Sequence, residues 1–153
     1  MELNIRKIVA QAIHENYRAT KMKGSRTDDP AMAPWEKLPD MFKESNLQQA
    51  DDILNKLRRI GCTIEKTEGR EVVKMTFTKD QIEVMAEMEH ARWTIERFLD
   101  GWKQGENRDV DNKINPYLVP WTELPEEARE WDRETVRQIP ELLAQVGLEI
   151  HQT

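Results

Sequence analysis

Cysteine is almost missing from this chain, since Cys62 is the single cysteine among 153 residues. One thiol cannot form an intramolecular disulfide, and its position in an apolar run predicts a small core residue rather than a nucleophile. The three histidines and this cysteine show neither HxxxH nor CxxC spacing. Hydrolase and phosphate-loop motifs are lacking as well. We therefore expect no metal site, no cofactor and no enzymatic activity.

Long apolar runs and a basic charge excess are also lacking. The longest apolar stretches are only a few residues long, which predicts neither a transmembrane helix nor a secretory signal, and therefore a cytoplasmic protein. The formal net charge is −6 and the isoelectric point is near 5.2. This balance argues against binding to a nucleic-acid duplex or a membrane surface.

An internal repeat is what the sequence does have. The stretch "DPAMAPWEKLPDMFKESNLQQADDILNKLRRIGCTI" at 29–64 is answered by "NPYLVPWTELPEEAREWDRETVRQIPELLAQVGLEI" at 115–150. Pro34, Trp35 and Gly61 match Pro120, Trp121 and Gly147, and upstream His14 and Tyr17 match His90 and Trp93. Self-similarity at this scale predicts two supersecondary units that bury their apolar faces against each other.

The predicted fold is α+β and mainly α, in one compact domain over 1–153. Repeat A spans 1–64 and repeat B spans 78–150, and each reads as helix, proline-rich loop, helix and short strand. We expect the repeats to form a pseudo-twofold pair. Between them, residues 65–77 form a linker, because alternating residues around the turn "TEGR" predict a β-hairpin with strands at 62–66 and 71–77.

A helix is predicted to begin at Thr78, which forms a capping box with Gln81. Its apolar residues recur at helical spacing and predict a core-facing stripe. The stripe consists of Val84, Met88, Ala91, Ile95, Phe98, Leu99 and Trp102.

Beside that stripe, cationic and aromatic side chains are close in sequence. Guanidinium groups bind phosphate through paired hydrogen bonds, and flat aromatic rings stack on nucleobases, so the combination suits a nucleotide-like anion. The candidate ligand-binding residues are Arg92, Trp93, Arg97, Trp102, Arg108, Lys113, Tyr117 and Trp121, with the histidines His90 and His14 and with Tyr17. The same residues are also explained as core tryptophans, local ion pairs and structural histidines, and both interpretations stay open.

The stretch "EHARWTIERFLDGWKQGENRDVDNKINPYLVPWTELPEEAREWDRETV" resembles the RyR domain, a module named from ryanodine receptors and also found in bacterial and phage proteins. The resemblance covers 78–150, and the first copy is similar to the paired repeat of bacterial members. It implies a module without established catalysis, and bacterial versions are similar to sensors of nucleotide-derived ligands. We expect no channel or effector domain to accompany it.

Two functions follow as hypotheses. The first is a sensor that binds a nucleotide-derived or other anionic small molecule near the repeat interface. The alternative is an interaction or scaffold module that binds a protein partner or a second copy of itself through the loops at 21–35 and 106–121. Under the alternative, Ser25 or Thr27 serves as a phosphoacceptor.

Overall fold

A computed structural model describes residues 3–21 and 30–153 of the chain. The phosphoacceptor candidates Ser25 and Thr27 lie outside these residues. The described part is mainly helical with a small two-stranded antiparallel sheet, as the fold-class prediction stated. Its helices are α1 (Leu3–Lys21), α2 (Asp40–Arg59), α3 (Lys79–Leu99), α4 (Glu126–Arg137) and α5 (Ile139–Ala144), and its strands are β1 (Cys62–Lys66), β2 (Lys103–Gln104), β3 (Ile114–Asn115) and β4 (Leu148–Gln152).

The chain packs as two compact units. The first contains the described residues up to Thr76 together with Ile139–Thr153, and the second is Phe77–Gln138. The predicted repeat boundaries follow sequence similarity, whereas packing places α5 and β4, the last elements of repeat B, in the first unit.

In the first unit, α1 packs along α2, and α5 contacts both α1 and β4. Val9, Leu57 and Leu143 are completely buried and form the centre of this core. At its edge, the Arg6 guanidinium donates to both carboxylate oxygens of Asp51 at 2.7 and 2.8 Å, which joins α1 to α2. Cys62 is buried, as predicted for a small core residue.

The predicted β-hairpin is wrong. Strand β1 forms at the predicted residues, but it pairs antiparallel with β4, so that Ile64 faces Ile150. Residues 71–77 form no strand. Leu148, Glu149 and Ile150 are all buried, and β4 therefore offers β1 a partner that is packed into the core, which the linker does not.

The turn of the predicted hairpin does form. The Arg70 N–H donates to the Thr67 carbonyl at 3.2 Å, and the two central residues have positive φ angles of 53° and 91°. Beyond the turn, the Arg70 guanidinium donates to both carboxylate oxygens of Glu149 at 2.8 and 2.9 Å, and the Val73 N–H donates to the same carboxylate at 2.8 Å. The linker is therefore held by a side chain of β4 and not by the backbone of β1.

In the second unit, α3 packs against α4. The Thr78 hydroxyl accepts from the Gln81 N–H at 3.1 Å and the Gln81 side chain accepts from the Thr78 N–H at 2.9 Å, which confirms the predicted capping box. Arg133 on α4 donates to both carboxylate oxygens of Glu83 on α3 at 2.9 and 3.2 Å. Met85 and Ala86 on α3 and Val136 on α4 are completely buried.

The proline-rich loops of the two repeats have the same local structure. Pro34 and Pro120 each precede a short 3₁₀ helix, Trp35–Lys37 in one loop and Trp121–Glu123 in the other. The next prolines, Pro39 and Pro125, stand directly before α2 and α4. Their fixed φ angles suit the start of a helix, which explains why both helices begin here.

Candidate functional site

A cleft of about 300 Å³ opens on the second unit. Helix α3 supplies one wall, α4 supplies another, and the loop between them supplies the third. The lining residues are His90, Trp93, Arg108, Asn115, Tyr117, Leu124, Ala128, Trp131 and Asp132. The structure thus brings together His90, Trp93, Arg108 and Tyr117 of the predicted set, all of them within the second unit.

His90 lines the cleft and is only 5% exposed. Its Nε2 lies 2.6 Å from the Val119 carbonyl oxygen, and because a carbonyl only accepts, Nε2 carries the proton. Its Nδ1 lies 3.7 Å from Oδ2 of Asp132. His14 makes the same contact in the other repeat, with Nε2 2.6 Å from the Ala33 carbonyl oxygen. Both buried histidines therefore tie a helix to its proline-rich loop.

Aromatic rings form the sides of the cleft. Trp93 stacks on His90 with ring centroids 5.8 Å apart and an interplanar angle of 26°. Tyr117 and Trp131, which line the same cleft, meet edge to face with ring centroids 5.4 Å apart and an interplanar angle of 87°. Trp131 is 53% exposed although it is among the largest apolar side chains, so its surface remains open to a flat ligand.

Arg108 is the cation of the cleft. Its side chain makes no hydrogen bond or ion pair with any residue that the structure describes. The turn that carries it is nonetheless fixed, because Asp109 and Ile114 exchange backbone hydrogen bonds of 2.9 and 2.8 Å. The Asn112 side chain donates to the Asp109 carboxylate at 2.7 Å and lowers the pKa of that carboxyl. Arg108 is therefore an exposed cation on an ordered loop, and its side chain bonds to none of the described residues.

These cleft residues lie inside the part of the chain that matches a known family. The RyR domain model matches residues 71–152, which is more than half of the chain. The chain belongs to the RyR domain family. The suspected resemblance is confirmed, and every residue that lines the cleft falls inside the matched segment of this RyR domain.

Three other predicted cations of the RyR domain are engaged outside the cleft. Arg92 donates to Glu89 at 2.7 Å and to Glu96 at 2.6 Å, and the bonds to Glu89 raise its pKa above the ordinary value. The Lys113 ammonium donates to the Asp100 carbonyl at 2.7 Å, near the carboxyl end of α3. A cation at the carboxyl end of α3 stabilises the helix, so the Lys113 contact has a structural explanation. The bonds of Arg92 to Glu89 and Glu96 are ion pairs along the same helix.

Arg97 is the third of these cations, and it lies against Trp102. Its guanidinium carbon is 5.9 Å from the centroid of the Trp102 ring, and its nearest carboxylate contact is Glu96 at 3.6 Å. The buried Nε of Arg97 has no hydrogen-bond partner in the described part of the chain. Neither Arg97 nor Trp102 lines the cleft.

The remaining predicted residues also lie outside the cleft. Trp121 contacts the guanidinium groups of Arg129 and Arg133, whose carbons are 5.5 and 5.9 Å from its ring centroid. Tyr17 is 43% exposed on α1, and His14 is buried in the first unit.

Sequence reasoning missed Asn115, Trp131 and Asp132 as site residues. Asn115 is 8% exposed, and its Oδ1 accepts from the Tyr117 N–H at 2.8 Å. Its side-chain amino group has no partner among the described residues. The sequence Asn115-Pro116 could have indicated this role. An asparagine that begins a turn typically accepts a hydrogen bond from the backbone N–H two residues later, as Asn115 does from Tyr117.

The predicted core stripe of α3 is wrong, because none of its seven residues is buried. Ile95, Phe98 and Leu99 are 59%, 51% and 85% exposed. Ile95 and Phe98 line a second groove of about 370 Å³, whose other wall runs from Leu118 to Trp121. The buried face of α3 instead contains Met85, Ala86, Glu89 and His90. Polar residues on that face are buried because they have partners, as the His90 bond to the Val119 carbonyl shows.

Two further observations bear on the kind of site. Within 3–21 and 30–153, no three histidine, cysteine, aspartate or glutamate side chains are placed so that they could hold a metal ion together. No helix in these ranges is both long and apolar enough to cross a membrane.

Proposed function

We propose that this RyR domain is a non-catalytic ligand-binding or sensor module, and that its ligand is a nucleotide-derived or other anionic small molecule held in the cleft of the second unit. The observation that carries the proposal is Arg108, a cleft-lining guanidinium without a partner among the described residues. Carboxylates nearby are arranged to neutralise Arg92, but none in the part of the chain that the structure describes neutralises Arg108. A guanidinium group forms its strongest hydrogen bonds with an anion, so Arg108 favours an anionic ligand.

The aromatic walls support a flat ligand next to that anion. Trp93, Tyr117 and Trp131 line the same cleft as Arg108. Stacking of a base on such a ring contributes about 1–3 kcal/mol. A cleft of about 300 Å³ also reaches the lower limit of volumes typical of small-molecule sites.

The proposal includes the architecture, with repeats A and B as a pseudo-twofold pair. The matching 3₁₀ helices after Pro34 and Pro120 support it, as do the equal histidine–carbonyl distances of 2.6 Å. In the sheet, Ile64 faces Ile150, which is its equivalent in the sequence repeat.

The test is a thermal-shift and calorimetric screen against nucleoside mono- and triphosphates, cyclic nucleotides and ADP-ribose. A ligand at ~100 times its dissociation constant stabilises the fold by about 2.7 kcal/mol, or roughly 5–10 °C for a chain of this size. Arg108→Ala should weaken binding about tenfold to a hundredfold, since a hydrogen bond to a charged group contributes about 1.5–3 kcal/mol.

The matched control is Lys103→Ala, which removes an exposed positive charge from the same connecting segment without touching the cleft. We expect this variant to bind as the wild type does. Binding that is equally weakened by both substitutions would reduce the role of Arg108 to long-range attraction. A folded protein that binds no member of the panel would refute the proposal.

The second groove favours the alternative function, an interaction module. Ile95 and Phe98 are exposed beside the apolar wall formed by Leu118 and Val119, and Glu87 lies at the same groove. Charge complementarity points to an apolar protein segment flanked by basic residues.

Titration with an amphipathic Leu/Lys peptide, followed by tryptophan fluorescence, tests the alternative. We expect the Leu/Lys peptide to bind, Ile95→Asp to weaken that binding, and a Leu/Glu peptide of the same length to bind poorly. Equal binding of the two peptides would count against the groove as their site.

A further inference from the structure

The buried histidine of each repeat shows which residues of the two repeats have matching places. His14 donates to the Ala33 carbonyl at 2.6 Å. His90 donates to the Val119 carbonyl at the same distance. The residue one helical turn after each histidine is therefore expected near the carbonyl just before the bonded one. The resulting pairs are Arg18 with Met32 in repeat A and Thr94 with Leu118 in repeat B.

In repeat A, an arginine makes this contact. Nε of Arg18 donates to the Met32 carbonyl at 2.9 Å. Its Nη1 lies 3.2 and 3.0 Å from the two carboxylate oxygens of Glu15. The arginine thus joins α1 to its proline-rich loop, and a carboxylate of the same helix neutralises its charge.

Repeat B has a threonine at the matching place, and the polar groups there are unpaired. The buried Oγ1 of Thr94 has no hydrogen-bond partner in the described part of the chain. Leu118 is 4% exposed, and its carbonyl accepts no hydrogen bond from any described residue. Buried carbonyl groups in folded proteins are nearly always paired. Repeat B therefore presents two oxygen acceptors for which the described residues supply no donor.

Both residues line the second groove, which also contains a carboxylate and apolar side chains. Thr94 and Leu118 face it together with Glu87, which forms no ion pair with any described residue. Ile95 and Phe98, which are 59% and 51% exposed, add apolar surface to the same groove. The groove thus offers acceptors, a negative charge and apolar walls to one incoming segment.

From this comparison we infer that the second groove binds an arginine side chain of a partner protein, flanked by apolar residues of the partner. The guanidinium donates to the Leu118 carbonyl and the Thr94 hydroxyl oxygen, and Glu87 neutralises it. Arg18 is the intramolecular counterpart of this contact. A guanidinium has five N–H donors in a fixed fork, whereas a lysine ammonium is a compact point charge. The inference rests on the alternative function, the interaction module, and specifies the side chain that the groove selects.

The first test compares three peptides that differ at one position between leucines, where they carry arginine, lysine or norleucine. Tryptophan fluorescence follows binding, because Trp121 lines the groove. We expect the arginine peptide to bind about tenfold to a hundredfold more tightly than the norleucine peptide, as hydrogen bonds from a charged group predict. The lysine peptide should bind with intermediate affinity, because its ammonium lacks the fork. This series uses the wild-type protein and does not depend on the folding of any variant.

Thr94→Arg provides an independent readout, because it supplies the arginine from within the chain, as repeat A does. We expect this variant to bind the arginine peptide at least about tenfold more weakly than the wild type. Thr135→Arg, at an exposed position of α4 that does not line the groove, is the matched control and should bind the peptide normally. Both variants gain the higher helix propensity of arginine, so a higher Tm in Thr94→Arg than in the control reports the bond to the Leu118 carbonyl.

The outcomes separate the inference from the interaction-module function. Equal binding of the three peptides, or unchanged binding of the arginine peptide by Thr94→Arg, would overturn the arginine inference and leave the groove as an apolar interaction site. Absence of binding by every peptide would overturn both. Self-association of the wild-type chain that Thr94→Arg abolishes would identify a second copy as the source of the arginine and would overturn the inference of a separate partner.

Discussion

Gly105→Ala should damage the cleft from a distance, through one steric contact. A Cβ added at Gly105 would lie 2.4 Å from Cγ2 of Ile114, where a comfortable carbon–carbon distance is about 3.5–4.0 Å. Gly105 follows β2, and Ile114 begins β3, which pairs with β2. The neighbouring atoms must therefore move by more than ~1 Å, and the loop that carries Arg108 and Asn115 must move with them.

Overpacking of this kind costs about 1–3 kcal/mol, which for a chain of this length corresponds to a loss of roughly 2–12 °C in Tm. We expect ligand affinity to fall as well. Ile114→Ala removes the atom in conflict, so the double variant should be more stable than the sum of the two single effects predicts, by about 1 kcal/mol or more. Urea unfolding of the four proteins measures this coupling. Additive effects, or a Gly105→Ala protein as stable as the wild type, would refute the steric argument.

Three further predictions concern contacts that stabilise the fold. Replacing His90 or His14 by Phe leaves a loop carbonyl without its donor, so each variant should lose about 1–3 kcal/mol in urea unfolding; a loss under ~0.5 kcal/mol would show that the bond is dispensable. Thr78→Ala should cost about 0.5–2 kcal/mol and Thr78→Ser much less, as the same assay can show. Hydrogen bonds from Arg70 hold the pKa of Glu149 well below its ordinary value of 4.5. The ionised form therefore adds stability above pH 4.5 that is lost as the pH falls further. Wild type should lose more stability than Glu149→Gln between about pH 6 and pH 2, and parallel pH profiles would contradict this assignment.

Local signals predicted much of the fold. The capping box at Thr78 and the fold class are confirmed, because short-range chemistry determines them. Gly61 directly follows Ile60, the C-cap residue of α2, and has a φ angle of 78°, which is the local conformation that commonly ends a helix. The partner of β1 could not be predicted from local sequence signals, because the choice between β4 and the linker depends on which of the two segments is buried in the core. Alternation in sequence reports a strand and not its partner.

The cleft was only partly predictable for a related reason. Hydrophobic spacing placed Ile95 and Phe98 in the core and His90 beside it, whereas the structure buries His90 and exposes the other two. A histidine becomes a core residue when a loop carbonyl meets it, and that carbonyl is 29 positions away in sequence. Likewise, the glutamates that pair with Arg92 are near it in the sequence, whereas only the fold shows that no described residue pairs with Arg108.

The pairing of β1 with β4 has a consequence for how such a chain could have arisen. Ile64 and Ile150 are equivalent residues of the two repeats, and each faces the other across the antiparallel ladder. In the vocabulary of oligomers this contact is isologous, since the same strand is used on both sides. Two separate chains, each with a single copy of the repeat, could meet through the same edge and form a C2 dimer. Fusing the two chains would turn a concentration-dependent association into an intramolecular one. The two copies could then diverge, and only repeat B would need the arginine of the cleft, Arg108.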